Sequence, residues 1–168
     1  LRISLYPPCP APQYLYVANT DGIIRFPYLT GDLEARGPAK TLGAELSGCG
    51  LLRGGGHWTR GLVFSPDGKK MFVSIGSHSN DSDDAAEADR ARIFQFNPDG
   101  SGQKTSASGL RNAVGIAMPP GTDELAMLLN RRHELGYNLV PDAIVTSHTG
   151  SYTRWPRASL RATDDAAA

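Results

Sequence analysis

Two stretches decide how this chain folds: Arg60-Gly-Leu-Val-Phe-Ser-Pro-Asp-Gly68 followed by Met71-Phe-Val-Ser74, and Val114-Gly-Ile-Ala-Met-Pro-Pro-Gly121 followed by Leu125-Ala-Met-Leu-Leu129. Each is a short apolar run, a proline- and glycine-containing turn, and a second apolar run, which is the grammar of a β-hairpin. The two copies are offset by 54 residues from Gly61 to Gly115. Four short strands fit in such an interval, and a period of about 40–50 residues with four strands per repeat describes the blade of a β-propeller.

Working outward, the same grammar recurs. Tyr14-Leu-Tyr-Val-Ala18 leads through Asn19-Thr-Asp-Gly22 into Ile23–Tyr28, and Arg92-Ile-Phe-Gln-Phe96 closes on Asn97-Pro-Asp-Gly100. Glycine and proline supply 19 and 12 of the 168 residues and fall between apolar runs rather than in one linker. No window combines a 3.6-residue apolar period with a cap. Asp81–Arg92 favours helix through its alanines but lacks an apolar stripe, and it reads as an exposed acidic loop with at most one helical turn. The expectation is an all-β chain forming part of a propeller, about three blades of four-stranded antiparallel sheet. Residues 1–156 make an incomplete propeller domain, and 157–168, ending in three alanines, make a frayed tail. The competing reading is a β-sandwich with coincidental turns.

Composition excludes several partners. The 17 basic and 17 acidic side chains balance to a formal net charge of zero. No overall field therefore draws the chain to nucleic acid or an anionic membrane. No apolar run approaches the roughly 20 residues of a membrane span. Cys9 and Cys49 allow one disulfide or two free thiols, and sequence alone leaves both open.

Most chemical motifs fail on inspection. Gly48-Cys-Gly50 has Arg53 where a dinucleotide loop needs its third glycine, and Asp81-Ser-Asp-Asp84 lacks the glycine and glutamate of a calcium loop. Asn80-Asp-Ser82 matches a glycosylation triplet too short to carry weight. Two stretches remain. In Arg53-Gly-Gly-Gly-His-Trp-Thr-Arg60, successive glycines suit a backbone that turns sharply or approaches something closely. His57 follows directly, and a neutral imidazole suits proton abstraction near pH 7. The plain alternatives are a loop histidine bonded to backbone and a core-packed Trp58. In Gly109-Leu-Arg-Asn-Ala-Val-Gly115, Arg111 offers a planar fork of donors for a carboxylate or quinone oxygen beside the amide of Asn112. Otherwise Arg111 is a surface ion pair.

Taken as an ordered set, Gly54–Arg60, Phe64–Ser74, Asn97–Gly100, Ala107–Asn112 and Asn138-Leu-Val-Pro-Asp142 resemble the glucose/sorbosone dehydrogenase family. That resemblance implies a six-bladed propeller that oxidises a sugar or aldose with pyrroloquinoline quinone (PQQ) and calcium, in a periplasmic or secreted setting, and passes electrons to an external acceptor. It implies His57 as the general base and Arg111 and Asn112 as cofactor contacts. It places calcium on backbone carbonyls at His133 and Glu134. The 130–137 loop departs from the pattern: Arg131, His133 and Tyr137 stand where relatives carry acidic residues, which removes negative charge near that cation. The later blades, with their basic cofactor contacts, are also missing, so further blades or a second chain would be needed to close the ring. Two other readings stay open: a noncatalytic propeller-derived module that binds carbohydrate or protein, and a calcium-dependent hydrolase.

Overall fold

The computed structural model describes residues 2–6, 13–42, 46, 56–82, 84–133, 141–147, 150–153, 155 and 156. The tail expected over 157–168, both cysteines, Gly54, Gly55 and Glu134 lie outside the described residues. The chain is all-β with one short helical turn, Ala85–Glu87.

Strands β1 (Arg2–Tyr6), β2 (Gln13–Ala18), β3 (Ile23–Tyr28) and β4 (Lys40–Leu42) form an antiparallel meander. Strands β5 (Arg60–Phe64), β6 (Met71–Ile75), β7 (Arg92–Phe96) and β8 (Lys104–Ser108) form a second. Strands β9 (Asn112–Ala117), β10 (Leu125–Asn130) and β11 (Ala143–Ser147) form a third. The first strands of successive sheets adjoin, β1 with β5 and β5 with β9. Three sheets stacked around their leading strands, with no ring closed among the described residues, are the partial propeller that the repeat predicts. The expected hairpin over Tyr14–Tyr28 forms, with Asn19 N–H donating to the Gly22 carbonyl across its turn.

Strand alternation fixes the stacking. Met71, Val73 and Ile75 of β6 and Phe94 and Phe96 of β7 face the first sheet, where they meet Tyr16, Ala18, Ile23 and Leu42. Phe72 and Ile93 point the opposite way, toward Ala113, Leu125, Met127 and Leu129 of the third. The middle sheet is therefore covered on both faces, which is why Met71–Ile75 reads as an unbroken buried run. Each of these large side chains contributes about 1.5–3 kcal/mol by leaving water. Tyr16 lies edge-on to Phe64 at 4.8 Å and donates its hydroxyl to the Pro98 carbonyl, clasping the first sheet to a turn of the second.

Among the described residues the third sheet holds three strands rather than four, and the second carries a fifth. Strand β12 (Ser151–Tyr152) runs parallel to β8, with Gly150 N–H, Thr153 N–H and Trp155 N–H donating to Ser106, Ser108 and Gly109 carbonyls. The segment 150–155 thus covers an otherwise open sheet edge. The free face of the third sheet presents Leu128 opposite Ile144, the latter 79% exposed.

Gly61 marks a tight seam between sheets. A Cβ there would stand 2.7 Å from Ser74 Oγ and 2.9 Å from Ile116 Cγ1 of the third sheet. Gly61→Ala is expected to lower stability by about 1–3 kcal/mol, as overpacking of a close-packed core does, read as a reduced urea midpoint with an unchanged slope.

Candidate functional site

In an antiparallel stack, alternate connections emerge at the same end. The β2–β3, β4–β5, β6–β7, β8–β9 and β10–β11 connections share one end, and hydrogen bonds tie them together there. His57 sits on the β4–β5 connection, Arg111 and Asn112 at the start of β9, and His133 on the β10–β11 connection.

His57 is half-buried, and its position is set on three sides. Its N–H donates to the Ser77 carbonyl at 3.0 Å. Its carbonyl accepts from Arg60 Nη1 at 3.1 Å and Arg90 Nη2 at 3.0 Å. Its ring Nδ1 lies 3.1 Å from the Ser77 carbonyl oxygen and 3.0 Å from Ser77 Oγ. A carbonyl only accepts, so Nδ1 carries the hydrogen and the neutral ring keeps its lone pair on Nε2. No described residue hydrogen-bonds Nε2. Burial holds the imidazole below the ordinary histidine range of 6.5, reinforced by the Arg111, Arg90 and His133 charges against an opposing Ser77 hydrogen bond. A base that is neutral at pH 7, with its ring fixed and one lone pair free, is ready to take a proton.

Gly76 brings the base and the amide together. A Cβ at Gly76 would lie 2.5 Å from His57 Cβ and equally close to Asn112 Oδ1, so both side chains pack against the bare glycine backbone. Gly56, with φ of +69°, needs glycine for a similar reason: a side chain there would strike the His78 carbonyl at 1.9 Å. The close approach expected of the glycine run is thus, at Gly56, an approach to the protein's own backbone.

Arg111 is buried, with a left-handed φ of +50° that is costly for a residue other than glycine. Its carbonyl accepts from Ser77 N–H at 2.6 Å, while Nε donates to the Asn80 carbonyl and Nη1 to the Asn130 carbonyl at 3.0 Å. The surface-ion-pair reading is therefore corrected: Arg111 is held by carbonyls inside the stack. Burial lowers its pKa, partly offset by Asp142 and Glu87. Nη2 has no partner among the described residues and remains available as a donor.

Two further readings are corrected. Trp58 is 45% exposed, not core-packed. The 81–92 segment is not a wholly solvated excursion, because Glu87 and Arg90 are buried. Glu87 accepts from His78 N–H, Ser79 N–H and Ser79 Oγ, and Arg90 donates to the Gly76, His57 and Ser77 carbonyls. Asn80 is the other residue the sequence did not single out for the site. Its side chain exchanges hydrogen bonds with His133 N–H and carbonyl, and its own carbonyl accepts from Arg111 Nε and Trp155 Nε1. The basic 131–133 segment finds its compensation in the same place, Arg132 pairing with Asp81 and Arg131 N–H with Asp142.

The donor chemistry fits an anionic planar quinone. Arg111 Nη2 offers a charge-assisted hydrogen bond beside the Asn112 amide, and Arg60 and Arg90 add buried positive charge. Calcium takes six to eight oxygen ligands, and of the two carbonyls expected to hold it, that of Glu134 lies outside the described residues. No three acidic, histidine or cysteine side chains gather among the described residues, and the His133 carbonyl already accepts from Asn80 Nδ2.

No protein-family model and no curated protein matches this chain. Solved structures do. The chain is similar to the iodide structure of a Trichoderma reesei carbohydrate-active enzyme of family AA12, with a TM-score of 0.67 and 16% identity over 92% of this chain and 44% of that one. A calcium structure from the same organism and family gives 0.61 and 15%, over 87% and 39%. The holo form of the PQQ domain of a Coprinopsis cinerea pyranose dehydrogenase gives 0.59 and 20%, over 81% and 34%. At these identities the likeness shows a shared fold, and this chain spans less than half the length of each.

In an NMR titration of the histidine rings, the His57 midpoint is expected below 6.5. Arg111→Gln is expected to move it upward by removing a like charge. Linkage has a matching sign: a depressed folded-state pKa means stability is full above the ordinary histidine range and declines as the pH falls through it toward the folded value.

Proposed function

We propose that this chain carries the base-bearing part of a sugar-oxidising, quinone-dependent dehydrogenase site, with PQQ as cofactor and an external electron acceptor, in a periplasmic or secreted setting. The observation that carries this reading is the convergence of His57, Arg111 and Asn112 on the backbone of residues 76–77. The likeness in fold to sugar-active and PQQ-domain structures supports it.

In this scheme Nε2 of His57 accepts the hydroxyl proton of a bound sugar, and the charge that develops on the ring rests on Nδ1–H, which the Ser77 oxygens stabilise. Arg111 Nη2 and the Asn112 amide hold an anionic ring carrying carboxylates and keep it beside the base. When bound, the quinone supplies the two-electron acceptor for hydride from the sugar carbon. Arg60 and Arg90 hold the His57 carbonyl, so the base cannot swing away as charge shifts.

The test is turnover of a panel of aldoses by the purified chain with PQQ, calcium and an artificial acceptor. His57→Ala is expected to lower kcat by about 100-fold or more, the ordinary weight of a positioned general base. Arg111→Met is expected to weaken PQQ binding at least tenfold, read by fluorescence titration. Equal turnover in wild type and His57→Ala removes the base from the reaction. Sugar binding without PQQ binding supports the noncatalytic module instead.

A further inference from the structure

We propose that Ser77 is the positioning residue of this site: its hydroxyl and carbonyl hold His57 in the Nδ1–H form, and its N–H ties the ring to Arg111. The inference rests on the assignment of His57 as base and concerns how that base is prepared.

Ser77 is fully buried, and each of its polar atoms is committed. Its N–H donates to the Arg111 carbonyl at 2.6 Å. Its carbonyl accepts from His57 N–H at 3.0 Å and Arg90 Nη2 at 3.1 Å. Its hydroxyl donates to the Ser79 carbonyl at 2.5 Å. A hydroxyl has one hydrogen, and a carbonyl can only accept, so that hydrogen is not available to His57. Toward Nδ1, Ser77 Oγ therefore offers only lone pairs, as does the Ser77 carbonyl beside it. The opposite tautomer would set the Nδ1 lone pair against two oxygens at 3.1 and 3.0 Å. Only Nδ1–H satisfies both.

The choice of serine has a chemical consequence. A carboxylate at this place would orient the ring equally well but would also stabilise the imidazolium and raise its pKa. Two neutral oxygens orient the ring while leaving it neutral among Arg90, Arg111 and His133. The 2.6 Å bond to the Arg111 carbonyl extends the effect. A shift of the 76–77 backbone would move the base and the cofactor-contacting arginine together, keeping their separation fixed. Gly76 and Ser77 thus act as one short template, the glycine admitting the two side chains and the serine orienting them.

The test is the nitrogen chemical shifts of the His57 imidazole, read by long-range proton–nitrogen correlation in the full 168-residue chain at a pH where the ring is neutral. The expected result in the unmodified chain is a protonated Nδ1 and an unprotonated Nε2. A protonated Nε2 would overturn the proposal without any variant, so a variant that fails to fold leaves it falsifiable. In folded Ser77→Ala, where the carbonyl remains but Oγ is lost, the tautomer ratio is expected to fall about fivefold, the size of one neutral hydrogen bond. An unchanged ratio would likewise sink it. Absence of sugar turnover alongside the expected nitrogen shifts would remove the base assignment and leave the Ser77 lock standing, so the two failures are distinguishable.

Discussion

Five consecutive residues, Gly76 to Asn80, are the constraint on which the functional end depends. They leave the buried strand β6 and touch the β4–β5, β8–β9 and β10–β11 connections. Gly76 receives His57 and Asn112, Ser77 bonds His57 and Arg111, and the His78 carbonyl packs on Gly56. Ser79 and His78 are held by Glu87, and Asn80 joins His133, Arg111 and Trp155. The chain emerges from the middle of the middle sheet, which is covered on both faces. Its path is therefore fixed by the buried clusters on those two faces. Position is transmitted from core to site through the backbone of residues 76–80, held by both backbone and side-chain hydrogen bonds.

The electrostatic character of the site follows from the same arrangement. Arg60, Arg90 and Arg111 are buried and donate hydrogen bonds to backbone carbonyls. A carbonyl partner does not neutralise a guanidinium, and the Arg111 and Arg90 charges are felt at the imidazole. Burial first, and then these charges, depress the His57 pKa, and the same charges favour an anionic ring as neighbour. Glu87 spends both oxygens on backbone and Ser79 donors, organising the β6–β7 connection.

Much of the fold was legible before any coordinates. Alternating apolar runs closed by Asp-Gly and Pro-Gly turns located the hairpins, because turn chemistry and a two-residue period are local properties. The long β6–β7 connection was legible only in part. Its acidic composition describes the exposed half, whereas Glu87 and Arg90 are buried by what packs over them. Strand β12 left no signal either, since two residues paired along a neighbour's edge carry no periodicity of their own.

The candidate site divides along the same line. Sequence by itself determined the residue types, an imidazole after glycines and an arginine beside an asparagine, and the strand ends on which they lie. That these positions meet was decided by tertiary structure, through the stacking of three sheets with alternate connections at one end. Ser77, Asn80 and Arg90 gain their roles only there, because a serine hydroxyl or a guanidinium has no function until its partners, twenty to fifty residues away in the chain, are brought within 3 Å or so by the core beneath them.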